Sequence, residues 1–174
     1  TAIESLKYCH EHNATVVAMV RPRGGDYYFN DTELKIMEHD MLEFQSLGMD
    51  AVIFGALTKD NQLDKDAMEN LAAAAGGMQL VCNLCFDWIP KENQKEAMDW
   101  LVEKGFTRIL SHGGLLDTNV LDNLDQLKQI VDWADGRIEI LPGAGVNDGN
   151  KDQICKYIGV NQAHGTHVLG ELKA

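Results

Sequence analysis

The sequence predicts an α/β protein of the (β/α)8-barrel type, here an incomplete barrel of about six parallel strands in a single domain spanning residues 1–174. Three observations carry this expectation. Short apolar runs alternate with helix-period segments along the whole chain, and that alternation implies right-handed crossovers and a parallel sheet. Charged, polar and glycine residues gather just after the apolar runs, at the strand ends where such proteins keep their sites. The chain has 174 residues, whereas a full barrel typically needs ~200–250, so roughly two strand–helix units are missing. An open doubly wound sheet is the other possible closure; no G-x-G-x-x-G fingerprint follows the first strand, which weakens a dinucleotide-binding reading.

The elements follow in order. Residues 2–12 have the spacing of an amphipathic helix, and Val16 to Val20 is a continuous apolar strand expected to be covered on both faces. Pro22 cannot continue a ladder, so the strand stops there. Leu34, Met37, Met41, Phe44 and Leu47 recur at helical spacing, with Asp31 as a candidate cap and Gly48 as the stop. Strands are predicted at 51–54, 79–83, 108–110, 137–141 and 162–165, and helices at 64–75, 91–104, 117–133 and 148–158. Glycines close several of these helices, at Gly76-Gly77, Gly105 and Gly159.

Apolar residues make up 45% of the chain and charged residues 24%, the balance of an ordinary globular protein. A net charge of −12 argues against nucleic acid and against an anionic membrane surface as partners. No apolar run approaches the ~20 residues that span a bilayer. The chain starts inside a helical pattern at Thr1 with no signal peptide, so the expectation is an N-terminally shortened cytoplasmic protein. Four scattered cysteines fit reduced thiols. Cys82 and Cys85 form a C-x-x-C at the end of a predicted strand, where residues three apart face opposite sides, so a metal or redox pair there is a weak candidate.

The predicted strand ends collect the chemistry. The first ends in Arg21, Arg23, Gly24, Gly25 and Asp26, and two guanidiniums beside exposed N–H groups make a seat for an anion. The alternative is a structural ion network with Asp26, Asp87 or Glu139. Ser111-His112-Gly113-Gly114 and Gly143-Ala144-Gly145 are glycine loops at consecutive late strand ends, able to bind phosphate through backbone N–H groups or to serve only as tight turns. Anion-binding candidates are therefore Arg21, Arg23, Gly113, Gly114, Gly143 and Gly145. Asp87, Glu139 and His164 are acid–base candidates, with Asp87 between Phe86 and Trp88 in surroundings able to raise its pKa. His112 and His164 are the best-placed histidines, while His10, His12 and His39 read as solvated.

Taken together, these motifs resemble the CutC family of copper-homeostasis proteins. The matching pieces are Met19-Val20-Arg21-Pro22-Arg23-Gly24-Gly25-Asp26, Phe54-Gly55-Ala56-Leu57-Thr58, Phe86-Asp87, Arg108-Ile109-Leu110, Arg137-Ile138-Glu139-Ile140, Gly143 to Val146 and His164-Gly165-Thr166. The resemblance implies a (β/α)8 barrel, a cytoplasmic protein, a Cu(I)-binding role and dimers among relatives. Arg21, Arg23, Asp26, Asp87, Glu139 and His164 fall on family motif positions. Relatives usually begin with two further strand units, whose ends carry acidic residues and the cysteines most often proposed for copper. Where relatives have His-Arg-Ala-Phe-Asp, this chain has Asn83-Leu84-Cys85-Phe86-Asp87, and where they often have three glycines it has Gly143-Ala144-Gly145. Cu(I) favours thiolate and thioether ligands, for which Cys82, Cys85 and Met19 are the nearby candidates. The expected functions are Cu(I) binding in copper homeostasis or, alternatively, enzymatic action on a small phosphorylated or carboxylated metabolite. With two strand edges unpaired, self-association is expected.

Overall fold

A computed structural model describes residues 2–170. Five parallel strands form one sheet in the order β1-β2-β3-β4-β5. They are β1 (Val17–Met19), β2 (Ala51–Phe54), β3 (Gln79–Cys82), β4 (Phe106–Ser111) and β5 (Glu139–Pro142). The helices are α1 (Ala2–Glu11), α2 (Asp31–Ser46), α3 (Lys65–Ala74), α4 (Lys91–Glu103), α5 (Leu124–Ala134) and α6 (Lys151–Ile158). Each strand lies beside the next in sequence, the order found in the wall of a β/α barrel. None of the described helices is long and apolar enough to cross a membrane.

One face of the sheet carries the helices. Ala18, Val20, Val52, Phe54, Leu80, Cys82, Ile109 and Ile140 point that way and join Met37, Met41, Met68, Leu71, Met98 and Leu101 in the main core. Strand alternation sends Ile53, Val81 and Leu110 to the opposite face, where they form a separate small cluster with Leu141. That second face is uncovered towards β1, where Val17 is 44% and Met19 54% exposed. The expectation that the first strand is covered on both sides therefore fails. The second face lacks a layer of its own and instead lines a groove of about 560 Å³.

Other expectations shift locally. Asn30, not Asp31, caps α2: its side chain accepts from the N–H groups of Thr32 and Glu33, while Glu33 accepts from the Asn30 N–H. The predicted sixth strand does not form. Residues 162–165 run past the end of β5 with one backbone bond to it, from His164 N–H to the Pro142 carbonyl at 2.9 Å, and among the described residues the pairing nearby is an isolated bridge between Asn147 and His167. The segment Gln162-Ala163-His164-Gly165 offers too few apolar residues to fill a strand position. The fifth helix starts late, at Leu124, after a 3-10 turn over Val120–Asn123 that Asn119 caps.

Candidate functional site

The chemistry gathers at the C-terminal ends of β1 to β4. After Cys82 the chain does not continue as a strand. The Asn83 side chain accepts a hydrogen bond from the Cys85 N–H at 2.9 Å and turns the backbone into a 3-10 helix over Leu84–Trp88. This corrects the expectation that Cys82 and Cys85 face opposite sides. The turn folds Cys85 back over Cys82, and their sulfurs lie 3.7 Å apart with both side chains fully buried. Gly55, at the end of β2, makes the space: a Cβ there would sit 2.2 Å from the Cys85 sulfur and 2.5 Å from Asn83 Oδ1. Burial, and then the neighbouring Cys82, push the Cys85 thiol well above its ordinary pKa. Met19 lies on the other face of the sheet and does not reach this pair.

Two side-chain donors after the ends of β1 and β3 have no acceptor among the described residues. Arg21 Nε and Asn83 Nδ2 are buried and unpartnered. The Arg21 guanidinium stacks 4.2 Å from the Tyr27 ring centroid and donates from Nη2 to the Gly25 carbonyl at 2.6 Å. Tyr27 is buried, and its hydroxyl is pushed up to about 12 by that burial, with Arg21 pulling the other way. Among the described residues, Arg21 has no carboxylate partner.

Arg23 differs from Arg21. Its Nε donates to Glu33 Oε1 at 2.6 Å, Nη2 reaches Asp26 Oδ1 at 3.0 Å and the Tyr28 carbonyl at 2.6 Å, and its ring partner is Phe29. Its donors tie the loop to the start of α2, and the Glu33 bond holds that carboxyl below its ordinary pKa. Glu139 is far down β5, at its first residue, and accepts from Arg108 Nε at 2.9 Å. Arg108 in turn donates to Gln79 at 3.0 Å. Glu139 thus belongs to a polar row at the strand N-terminal ends, not to the rim.

Asp87 is 8% exposed and bridges the 3-10 turn to β4. Ser111 Oγ donates to Oδ1 at 2.6 Å and the His112 N–H donates to Oδ2 at 2.7 Å. Burial outweighs these bonds and raises its pKa to about 6. His112 is buried with both ring nitrogens against carbonyls, Nδ1 2.7 Å from Ala144 O and Nε2 3.1 Å from Thr118 O. His164 is exposed beside the uncovered groove.

The glycine loops bind each other. Gly113 N–H donates to Ser111 Oγ at 3.0 Å, and Gly143 N–H donates to the Ser111 carbonyl at 2.9 Å. A Cβ on Gly113 would meet Leu127 at 2.7 Å, and one on Gly114 would meet the Asn123 side chain at 3.1 Å. Gly145 gives its carbonyl to Asn150 at 3.0 Å. A cleft of about 310 Å³ beside these loops is lined by His112, Thr118, Val120, Ala144 and Gly145. Of the predicted residues, the structure brings together Cys82 and Cys85, with Asp87 on the same 3-10 turn, while Arg21 packs on Tyr27, Arg23 pairs with Glu33, Glu139 pairs with Arg108 and His164 lines the groove. Sequence reasoning placed Asn83 at the strand end without giving it a role, and missed Tyr27. An asparagine inside the C-x-x-C, on a strand-to-turn boundary, was the available signal for the first.

Comparison with known proteins adds the lineage. The sequence pattern of the CutC family matches residues 3–169. The chain is 43% identical over 166 residues to the family protein CutC of Enterococcus faecalis, covering 95% of this chain and 79% of that one. It is 34% identical over 149 residues to the mouse copper homeostasis protein cutC homolog, covering 86% of this chain and 53% of the mouse protein. The crystal structure of CutC from Streptococcus agalactiae superposes with a TM-score of 0.93 at 44% identity, over 95% of this chain and 79% of that one. An aldolase superposes with a TM-score of 0.64 at 13% identity, a likeness of fold alone.

Proposed function

We propose that this chain, which belongs to the CutC family, captures Cu(I) between Cys82 and Cys85 as part of copper homeostasis. The observation that carries the reading is the pair itself: two fully buried thiols with sulfurs 3.7 Å apart. Zinc sites need about four ligands, whereas a soft monovalent ion is content with two thiolates. Among the described residues no group of three or more His, Cys, Asp or Glu side chains is placed to hold a metal ion. The unpartnered amide nitrogen of Asn83, whose Oδ1 accepts from the Cys85 N–H, suits an anionic product rather than two neutral thiols. Binding forms two Cu–S bonds and breaks two S–H bonds. Both protons leave to solvent, and the copper-dithiolate unit carries one negative charge. The name of the mouse relative supports the assignment to copper homeostasis. The pair works only while reduced, and all four cysteines are free, which fits the cytoplasm.

The test is titration of reduced protein with Cu(I) against a competing chelator, for the parent chain and for Cys82→Ser/Cys85→Ser. The expected result is one Cu(I) per chain, lost in the double variant. Equal binding by both proteins overturns the reading.

A further inference from the structure

We infer that Gln94 is the positioning residue of the thiol pair: it anchors the 3-10 turn that folds Cys85 over Cys82. The inference rests on the Cu(I) reading above and says what keeps its two sulfurs together. Helix α4 turns one stripe to the core, formed by Gln94, Ala97, Met98 and Leu101. Three of these residues are apolar and one is not. Gln94 is 3% exposed, and a buried amide is tolerated only where its hydrogen bonds are made. Here they are made to other elements. Gln94 Nε2 donates to the Phe86 carbonyl at 3.3 Å and to the Ile89 carbonyl at 3.1 Å, and Oε1 accepts from Gln126 Nε2 on α5 at 3.1 Å. The two carbonyls decide which end of the amide is nitrogen, because a carbonyl oxygen only accepts.

Both carbonyls belong to the turn that carries Cys85. Phe86 lies inside the 3-10 helix Leu84–Trp88 and follows Cys85 directly, and Ile89 is the C-cap of that helix. The Phe86 carbonyl also takes the Ile89 N–H at 3.2 Å, so Gln94 binds at the bond that closes the turn. A 3-10 turn has weaker internal bonds than an α-helix and depends more on outside support. This one is held at three places. Asn83 Oδ1 accepts from the Cys85 N–H at its start, Ser111 and the His112 N–H donate to Asp87 within it, and Gln94 ties its end to α4 and, through Gln126, to α5. The sulfurs are not covalently joined, so their 3.7 Å contact is kept by the backbone of the turn. A pair already in place captures an ion without first ordering two side chains, and the anchor therefore strengthens binding.

Two readouts test this. Alkylation of the native chain by iodoacetamide, followed at each cysteine by mass spectrometry, reports how firmly the turn is closed, and Cu(I) affinity is measured by chelator competition. Cys9 and Cys155, half-buried on α1 and α6, serve as internal references. Gln94→Leu keeps the bulk and removes the donor. It should raise the alkylation rate of Cys85 about ten-fold against those references and weaken Cu(I) binding by a similar factor, from the usual strength of a buried hydrogen bond, with one Cu(I) per chain retained. Gln126→Leu, which removes only the support of Gln94, should move both readouts the same way by less, and it carries the test with the same refuting outcomes if Gln94→Leu does not fold. Asn30→Ala is the control for lost stability alone: it removes the cap of α2 and should change neither readout. Parental Cys85 reactivity or parental Cu(I) affinity in folded Gln94→Leu overturns the inference while the thiol site stands. An equal rise in Asn30→Ala marks a merely structural role and also overturns it. A parent chain that takes no Cu(I), with Cys85 still freed by Gln94→Leu, overturns the copper reading and leaves Gln94 as the anchor of the pair. No Cu(I) and no freed Cys85 overturns both.

Discussion

Replacing Asp87 by asparagine tests whether the strand-end cluster is a buried, electrostatically costly site. Asp87 is 8% exposed, and its pKa rises from an ordinary 3.8 to about 6 because burial disfavours the charged form. The folded chain then binds this proton more tightly than the unfolded chain. The stability linked to Asp87 is fully present below about pH 4 and is lost as pH rises towards about 6, levelling off above. At roughly 1.4 kcal/mol per pH unit, the loss is about 3 kcal/mol. Asparagine resembles the protonated acid: its oxygen can accept from the His112 N–H, and its amide can donate to Ser111 Oγ. Urea denaturation of both proteins between pH 4 and pH 8 gives the comparison, and the difference between them removes the contribution of other groups. Asp50, Asp99 and Glu33 have lowered pKa values and act in the opposite sense, losing stability as pH falls. The parent should lose stability relative to Asp87→Asn across pH 4–6, leaving the variant ahead at pH 8 by up to about 3 kcal/mol. A pH-independent difference, or a parent that gains relative to the variant as pH rises, refutes the reasoning.

Other outcomes follow from the same geometry. Gly55→Ala should destabilise the chain by about 1–3 kcal/mol in chemical denaturation and weaken Cu(I) binding, because the new Cβ overlaps the Cys85 sulfur. Asn30→Ala should cost about 1 kcal/mol by removing the cap of α2, with no effect on Cu(I) affinity. The uncovered sheet face at Val17 and Met19 should drive self-association at high concentration, which Met19→Glu reduces; a parent chain that sediments as a monomer at all concentrations contradicts this.

Much of the fold was legible because apolar runs and helical periods are physical requirements of burial. Ala51–Phe54 is a strand to the residue, since its four side chains are all buried. The failures lie where a side chain redirects the backbone. Asn83 ends β3 and winds the 3-10 turn, so strand parity stops applying between Cys82 and Cys85. That single polar cap turned a pair expected to diverge into neighbours. The segment at 162–165 was read as a sixth strand and does not form one, because only one backbone bond holds it to β5. At the candidate site, residue type identified Arg21 and Arg23 together, yet only three-dimensional contacts separate them: Glu33, on the next helix, claims one and leaves the other. The acidity of Asp87 was foreshadowed by its aromatic neighbours, but its partners Ser111 and His112 arrive from the next strand.

The most direct measurement is X-ray absorption at the copper edge on chain loaded with one equivalent of Cu(I). The account predicts two sulfur neighbours, no nitrogen or oxygen in the first shell, and loss of that signal in Cys85→Ser. A shell containing nitrogen or oxygen, or an unchanged spectrum in Cys85→Ser, contradicts it.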